Sequence, residues 1–130
     1  MERKITSVAA VLGITAIILG AFGAHALKKH LSIEQLASFE TGVKYQMYHA
    51  LFLLFLGLTT FLSDKIKKTI LQLVIFGVIF FSGSIYLLNT KSITGVDLKI
   101  IGVLTPVGGG ILITAWSVLL YSIWKAKDNN

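Results

Sequence analysis

The chain has no cysteine, one proline (Pro106) and only six acidic residues in 130. The missing cysteine excludes disulfides, thiolate metal sites and palmitoylation, and leaves the redox compartment open. Only 14% of residues are charged, too few to solvate the surface of a soluble domain of this size. The scarcity of acids has a chemical consequence. No Asp, Glu, Lys or Arg falls within 5–27, 45–62, 69–88 or 100–124, so no acid inside those stretches can orient a histidine in a nucleophilic triad. No strand precedes the Gly108–Gly110 run, which removes the phosphate-cradling reading of those glycines.

The chain does carry apolar length. Hydrophobic residues make up 55% of it, with a mean hydropathy of +0.80. A helix needs roughly 20 apolar residues to cross the hydrocarbon layer, and backbone groups in lipid must be satisfied within the segment. The four uncharged stretches therefore predict an all-α, polytopic membrane protein: one domain over 1–130, with four transmembrane helices at 5–27, 45–62, 69–88 and 100–124.

The formal charge of +6 reads as topology signalling and attraction to anionic headgroups. The basic residues are spread over both faces and form no aromatic-interleaved patch, so no nucleic acid is expected. Arg3, Lys4, Lys65, Lys67, Lys68, Lys125 and Lys127 lie on one side, against Lys28, Lys29, Lys44, Lys91 and Lys99 on the other. This bias predicts both termini in the cytoplasm of a bacterial cell (inner) membrane. Ala24-His25-Ala26 resembles a signal-peptide cleavage site. However, 5–26 is longer than a signal core, and Ala9, Gly13, Ala16, Gly20 and Gly23 fall on one face suited to close approach by another helix. The first span is read as retained.

Between the first two spans, Ser32-Ile33-Glu34-Gln35 reads as a capping box. Leu31, Leu36, Phe39 and Val43 then recur at helical spacing, which predicts a short amphipathic helix at 33–44 lying at the interface.

Polar residues at membrane depth concentrate at one end of the expected bundle: His25, then Tyr45, Gln46, Tyr48 and His49, then Ser84 and Tyr86, then Thr105. Tyr45, Tyr48, His49 and Phe52 share a helix face. A histidine in a span is costly unless it faces the interior or water. These eight residues are the candidate ligand-binding set. Structural hydrogen bonding, ligand contact and proton chemistry all remain open for the two histidines. Glu40 is the one plausible third partner for a metal, which is too little to predict one; no cofactor is expected either. Pro106 removes a hydrogen bond and crowds the carbonyl of Gly102. With Gly108, Gly109 and Gly110 following, this predicts a kinked helix, a re-entrant piece at 96–104, or tight packing of the glycines on the small face of the first span.

Three motifs together resemble the YgdD/YwdK-like family of small uncharacterised bacterial membrane proteins: Gly20-Ala21-Phe22-Gly23-Ala24-His25 with Leu27; Phe39 to His49; and Leu104 to Gly109 with a later Trp116. The resemblance implies a four-helix inner-membrane protein with an uncleaved first span. It brings no activity, substrate or cofactor.

The leading functional expectation is a non-enzymatic membrane protein that binds a lipid headgroup, small amphiphile or partner helix in a polar pocket on the non-cytoplasmic side. A second reading is a small homo-oligomeric transporter or channel using a helix break at 105–110. A third is an accessory subunit of a larger membrane complex.

Overall fold

The computed structural model describes residues 1–128, and all regular structure among them is helical. The elements are α1 (Glu2–His25), a 3-10 turn (Leu27–Lys29), α2 (Ile33–Leu58), α3 (Asp64–Val78), a π turn (Ile79–Gly83), α4 (Ser84–Asn89), α5 (Lys91–Thr94) and α6 (Lys99–Asp128). The π turn joins α3 and α4 into one rod. Three rods are long and apolar enough to cross a membrane: Glu2–Lys29, Asp64–Asn89 and Lys99–Ala126.

The 26-residue α2 is not among those three, because Glu34, Gln35, Glu40, Lys44, Gln46 and His49 dilute its first two thirds. It also corrects the expected division at 44–45. The stretch read as a separate interfacial helix is the first part of α2, continuous with the stretch read as the second span. No glycine or proline stands at Lys44–Tyr45 to break the helix. The far end falls at Leu58 rather than 62, where Thr59 turns extended.

The start of α2 follows the local chemistry of its sequence. Ser32 Oγ accepts from the Gln35 amide at 3.1 Å, and Gln35 Oε1 accepts from the Ser32 amide at 3.0 Å. Each bond satisfies an amide that has no partner within the helix, and such caps contribute about 1 kcal/mol. The other end is closed by a lysine. Lys67, only 3% exposed, donates from Nζ to the Thr59 carbonyl at 2.5 Å. A cation there complements the negative end of the helix dipole. Lys67, read from sequence as a topology signal, is thus a buried structural cap.

Helices α1 and α2 pack antiparallel along the small-residue ladder. A Cβ on Gly13 would touch Ala50 at 3.9 Å, one on Gly20 would meet Val43 at 3.4 Å, and one on Gly23 would press on Phe39 at 3.1 Å. Ala9, Ala16 and Gly23 are buried. The other antiparallel pair is the α3–α4 rod with α6. Ile5, Ala9, Leu53, Leu56, Ile70, Val74, Leu112 and Ala115 form the core between these pairs.

Helix α6 runs unbroken through Pro106, which removes the expected re-entrant piece at 96–104 and the break at 105–110. Pro106 is the eighth residue of α6. The carbonyl it leaves without its usual partner belongs to Gly102, exposed in the first turns. The glycines after it do not pack on α1 as expected. A Cβ on Gly108 would lie 2.7 Å from the Phe80 carbonyl carbon and 2.8 Å from Phe81 Cα. Gly108 is therefore the point where the α6 backbone rests directly on the π turn. Gly102 and Gly110 have open space around them.

Candidate functional site

Most of the predicted polar residues are present at this side of the bundle, but they do not form one pocket. Gln46, 5% exposed on α2, is the centre of a junction of three helices. Its Nε2 donates to the Leu12 carbonyl at 3.0 Å and to Thr15 Oγ1 at 2.6 Å on α1. Its Oε1 accepts from the Tyr86 hydroxyl at 2.7 Å on α4. Thr15 sends its own proton to the Val11 carbonyl at 2.8 Å, so it is free to accept. Both ends of the carboxamide are used, as a buried amide requires.

A second chain of bonds serves the π turn. Ser84 Oγ donates to the Phe81 carbonyl at 2.9 Å and lies 2.5 Å from Thr105 Oγ1 on α6. Since the Ser84 proton goes to the carbonyl, Thr105 is the donor of that pair. Ser82, 1% exposed, donates to the Gly42 carbonyl at 2.7 Å and ties the same turn to α2.

His49, 4% exposed, makes the third arrangement. Its Nδ1 lies 2.7 Å from the Tyr45 carbonyl, and its Nε2 lies 3.1 Å from Trp116 Nε1. A carbonyl only accepts and an indole N–H only donates. Nδ1 therefore carries the proton, Nε2 is the acceptor, and the ring is neutral in one tautomer. Beside it is a groove of about 320 Å³ lined by Tyr45, His49, Phe81, Gly109, Leu112, Ile113 and Trp116. Tyr45 packs at a tilt against Phe81 with centroids 4.9 Å apart, and Phe52 likewise against Trp116 at 4.4 Å.

His25 and Tyr48 do not join these groups. Tyr48 is 53% exposed, and its ring leans on Tyr45 at 5.5 Å. His25 is exposed at the end of α1. The α1–α2 ladder sets Ala50 opposite Gly13, so His49 stands about 12 residues of α1 from His25, or roughly 18 Å at the helical rise. The expected pocket holding both histidines is thus resolved into separate sites.

One apolar space was not anticipated. A cavity of about 420 Å³ lies where the end of α1, the 3-10 turn, the start of α2, the end of α4 and α5 meet. Leu19, Phe22, Leu27, Phe39, Leu87 and Ile93 give it carbon walls, with His30, Thr90, Thr94 and Tyr86 as its polar groups. Phe39 and Tyr86 pack at a tilt, centroids 5.0 Å apart, along one wall. Of the eight predicted residues only Tyr86 borders it. Apolar lining leaves no mark in a sequence that is apolar throughout. Trp116 was the one legible omission, because an indole N–H at membrane depth needs an acceptor.

The chain matches the family model described as protein of unknown function (DUF423) over residues 19–109, which holds all eight candidate residues. It is similar to a UPF0382 membrane protein of Staphylococcus saprophyticus, 38% identical over 116 residues, covering 89% of this chain and 92% of the relative. It is also similar to the UPF0382 membrane protein YwdK of Bacillus subtilis, at 36% over 121 residues (89% and 92%). With the UPF0382 inner membrane protein YgdD of Escherichia coli the identity is 32% over 122 residues (92% and 88%). No solved structure matches.

Proposed function

We propose, from the premise that this chain belongs to the DUF423 family of membrane proteins, that it is a non-enzymatic protein holding the apolar part of a membrane amphiphile in the cavity between α1, α2 and α4. The observation that carries this reading is the cavity itself. About 420 Å³ is within the range of small-molecule sites. Its walls are carbon, so water gains little there and hydrocarbon is the favoured occupant. The hydrogen-bonded groups nearby, Gln46, His49, Ser84 and Thr105, are engaged with one another or with backbone. In this reading they hold the walls in place and leave binding to the cavity.

With both termini in the cytoplasm, as the lysine and arginine distribution favours, the cavity faces the non-cytoplasmic side. The partners are then membrane lipids rather than nucleic acid. Native mass spectrometry from mild detergent tests the reading, with Ala26→Phe and Leu87→Trp compared with wild type. Each variant adds bulk to the cavity lining. A discrete bound mass that disappears in both variants is the expected result. The same bound mass retained in both would refute it.

A further inference from the structure

The cavity is bordered at one end by two short segments whose charge is of one sign. The 3-10 turn and the residue that caps it contribute Leu27 and His30 to the lining, with Lys28 and Lys29 between them. The segment around α5 contributes Thr90, Ile93 and Thr94, with Lys91 among them. All three lysines are exposed. No Asp or Glu occurs from Ala26 to Leu31 or from Thr90 to Gly95, and no lysine of the two segments has an ion pair within its own turn. Three exposed lysines thus flank, along the chain, the rim residues of an apolar chamber.

We infer that the cavity selects an anionic amphiphile with a single chain, the chain in the Leu19–Phe39–Leu87 chamber and the head at Lys28, Lys29 and Lys91. This rests on the amphiphile reading above and adds the charge and chain number of the ligand. The volume limits the chain number. At roughly 30 Å³ for a water-sized group, about fourteen such groups fill the space, which is one lipid chain and not two. The rim sets the sign. A lysine near a membrane surface is worth about 1 kcal/mol toward an anionic head, or roughly fivefold in affinity.

The test uses delipidated full-length protein in a neutral maltoside detergent and three probes of equal chain length: dodecyl phosphate, dodecanol and dodecyltrimethylammonium. Binding is read by titration calorimetry, with folding of each variant checked by circular dichroism. Dodecyl phosphate should bind at least tenfold more tightly than the other two, and the advantage should shrink in high salt. The triple variant Lys28→Gln, Lys29→Gln, Lys91→Gln should lose that advantage while dodecanol binds as before. Ala26→Phe should weaken all three probes. Equal affinities for the three heads, or an anion preference that survives the triple variant, would overturn the inference and leave the cavity reading standing. If no probe binds, or Ala26→Phe changes nothing, the cavity reading fails and the inference with it.

Discussion

Replacing Gln46 with leucine should destabilise the bundle more than any other single polar change in its interior. The side chain is 5% exposed and makes three hydrogen bonds, two to α1 and one from Tyr86. Hydrogen bonds between membrane helices average about 0.6 kcal/mol and reach about 1.7, so three of them amount to about 2 kcal/mol. The change also takes the Gln46 acceptor from the half-buried Tyr86 hydroxyl, which adds about 1–2 kcal/mol. The total expected is about 3–4 kcal/mol. Leucine has nearly the same length, so little of the loss comes from volume. The assay is reversible unfolding in mixed micelles, followed by circular dichroism as the denaturing detergent fraction rises. Tyr86→Phe supplies the decisive comparison. Once Gln46 is gone, removing the stranded hydroxyl should cost almost nothing, giving a coupling of about 1–2 kcal/mol in the double-mutant cycle. Two single costs that simply add would show that the junction carries no cooperative stability.

Other expectations follow from single contacts. Gly108→Ala forces a Cβ onto the backbone of Phe80 and Phe81 and should cost 3 kcal/mol or more on the order of severe overpacking, whereas Gly110→Ala, in open space, should be neutral in the same unfolding assay. Side-chain nitrogen NMR at neutral pH should find His49 as the Nδ1–H tautomer, since Tyr45 and Trp116 select it; a majority of the Nε2–H form would contradict the assigned network. Lys67→Met removes the buried cap on Thr59 and should lower stability by about 1–2 kcal/mol, with amide exchange at Leu56–Leu58 accelerating before any other part of α2.

What could be read from sequence was what local chemistry decides. The Ser32–Gln35 box requires two residue types at one spacing, and the structure forms both bonds. The small-residue ladder of α1 is likewise a property of one helix, and it faces α2 as its spacing implied. The errors arose where a neighbouring helix decides. The shift from polar to apolar near Lys44 is a change of surroundings along one unbroken helix. Pro106 looked disruptive because of the carbonyl it frees, yet that carbonyl belongs to the exposed Gly102, close enough to the helix end to bear the loss. His25 and His49 looked like partners because one lies near the end of the first expected span and the other near the start of the second. The extra polar turns at the start of α2 move its register so that His49 stands opposite Gly13 and near the middle of α1.

The π turn at Ile79–Gly83 has one more consequence. A wide turn of this kind holds a residue more than the α-helical ladder needs, and one residue is worth about 100° of rotation about the axis. Everything after it is therefore turned through more than a quarter circle relative to a regular continuation of α3. Ser84, Tyr86 and Asn89 meet Thr105, Gln46 and Ser38 only because of that offset. Removing one residue from Ile79–Gly83 would leave a chain of nearly unchanged composition and length. It would carry the partners of α2 and α6 away from them together, so the polar wiring of this half of the protein depends on the phase set by a single surplus residue.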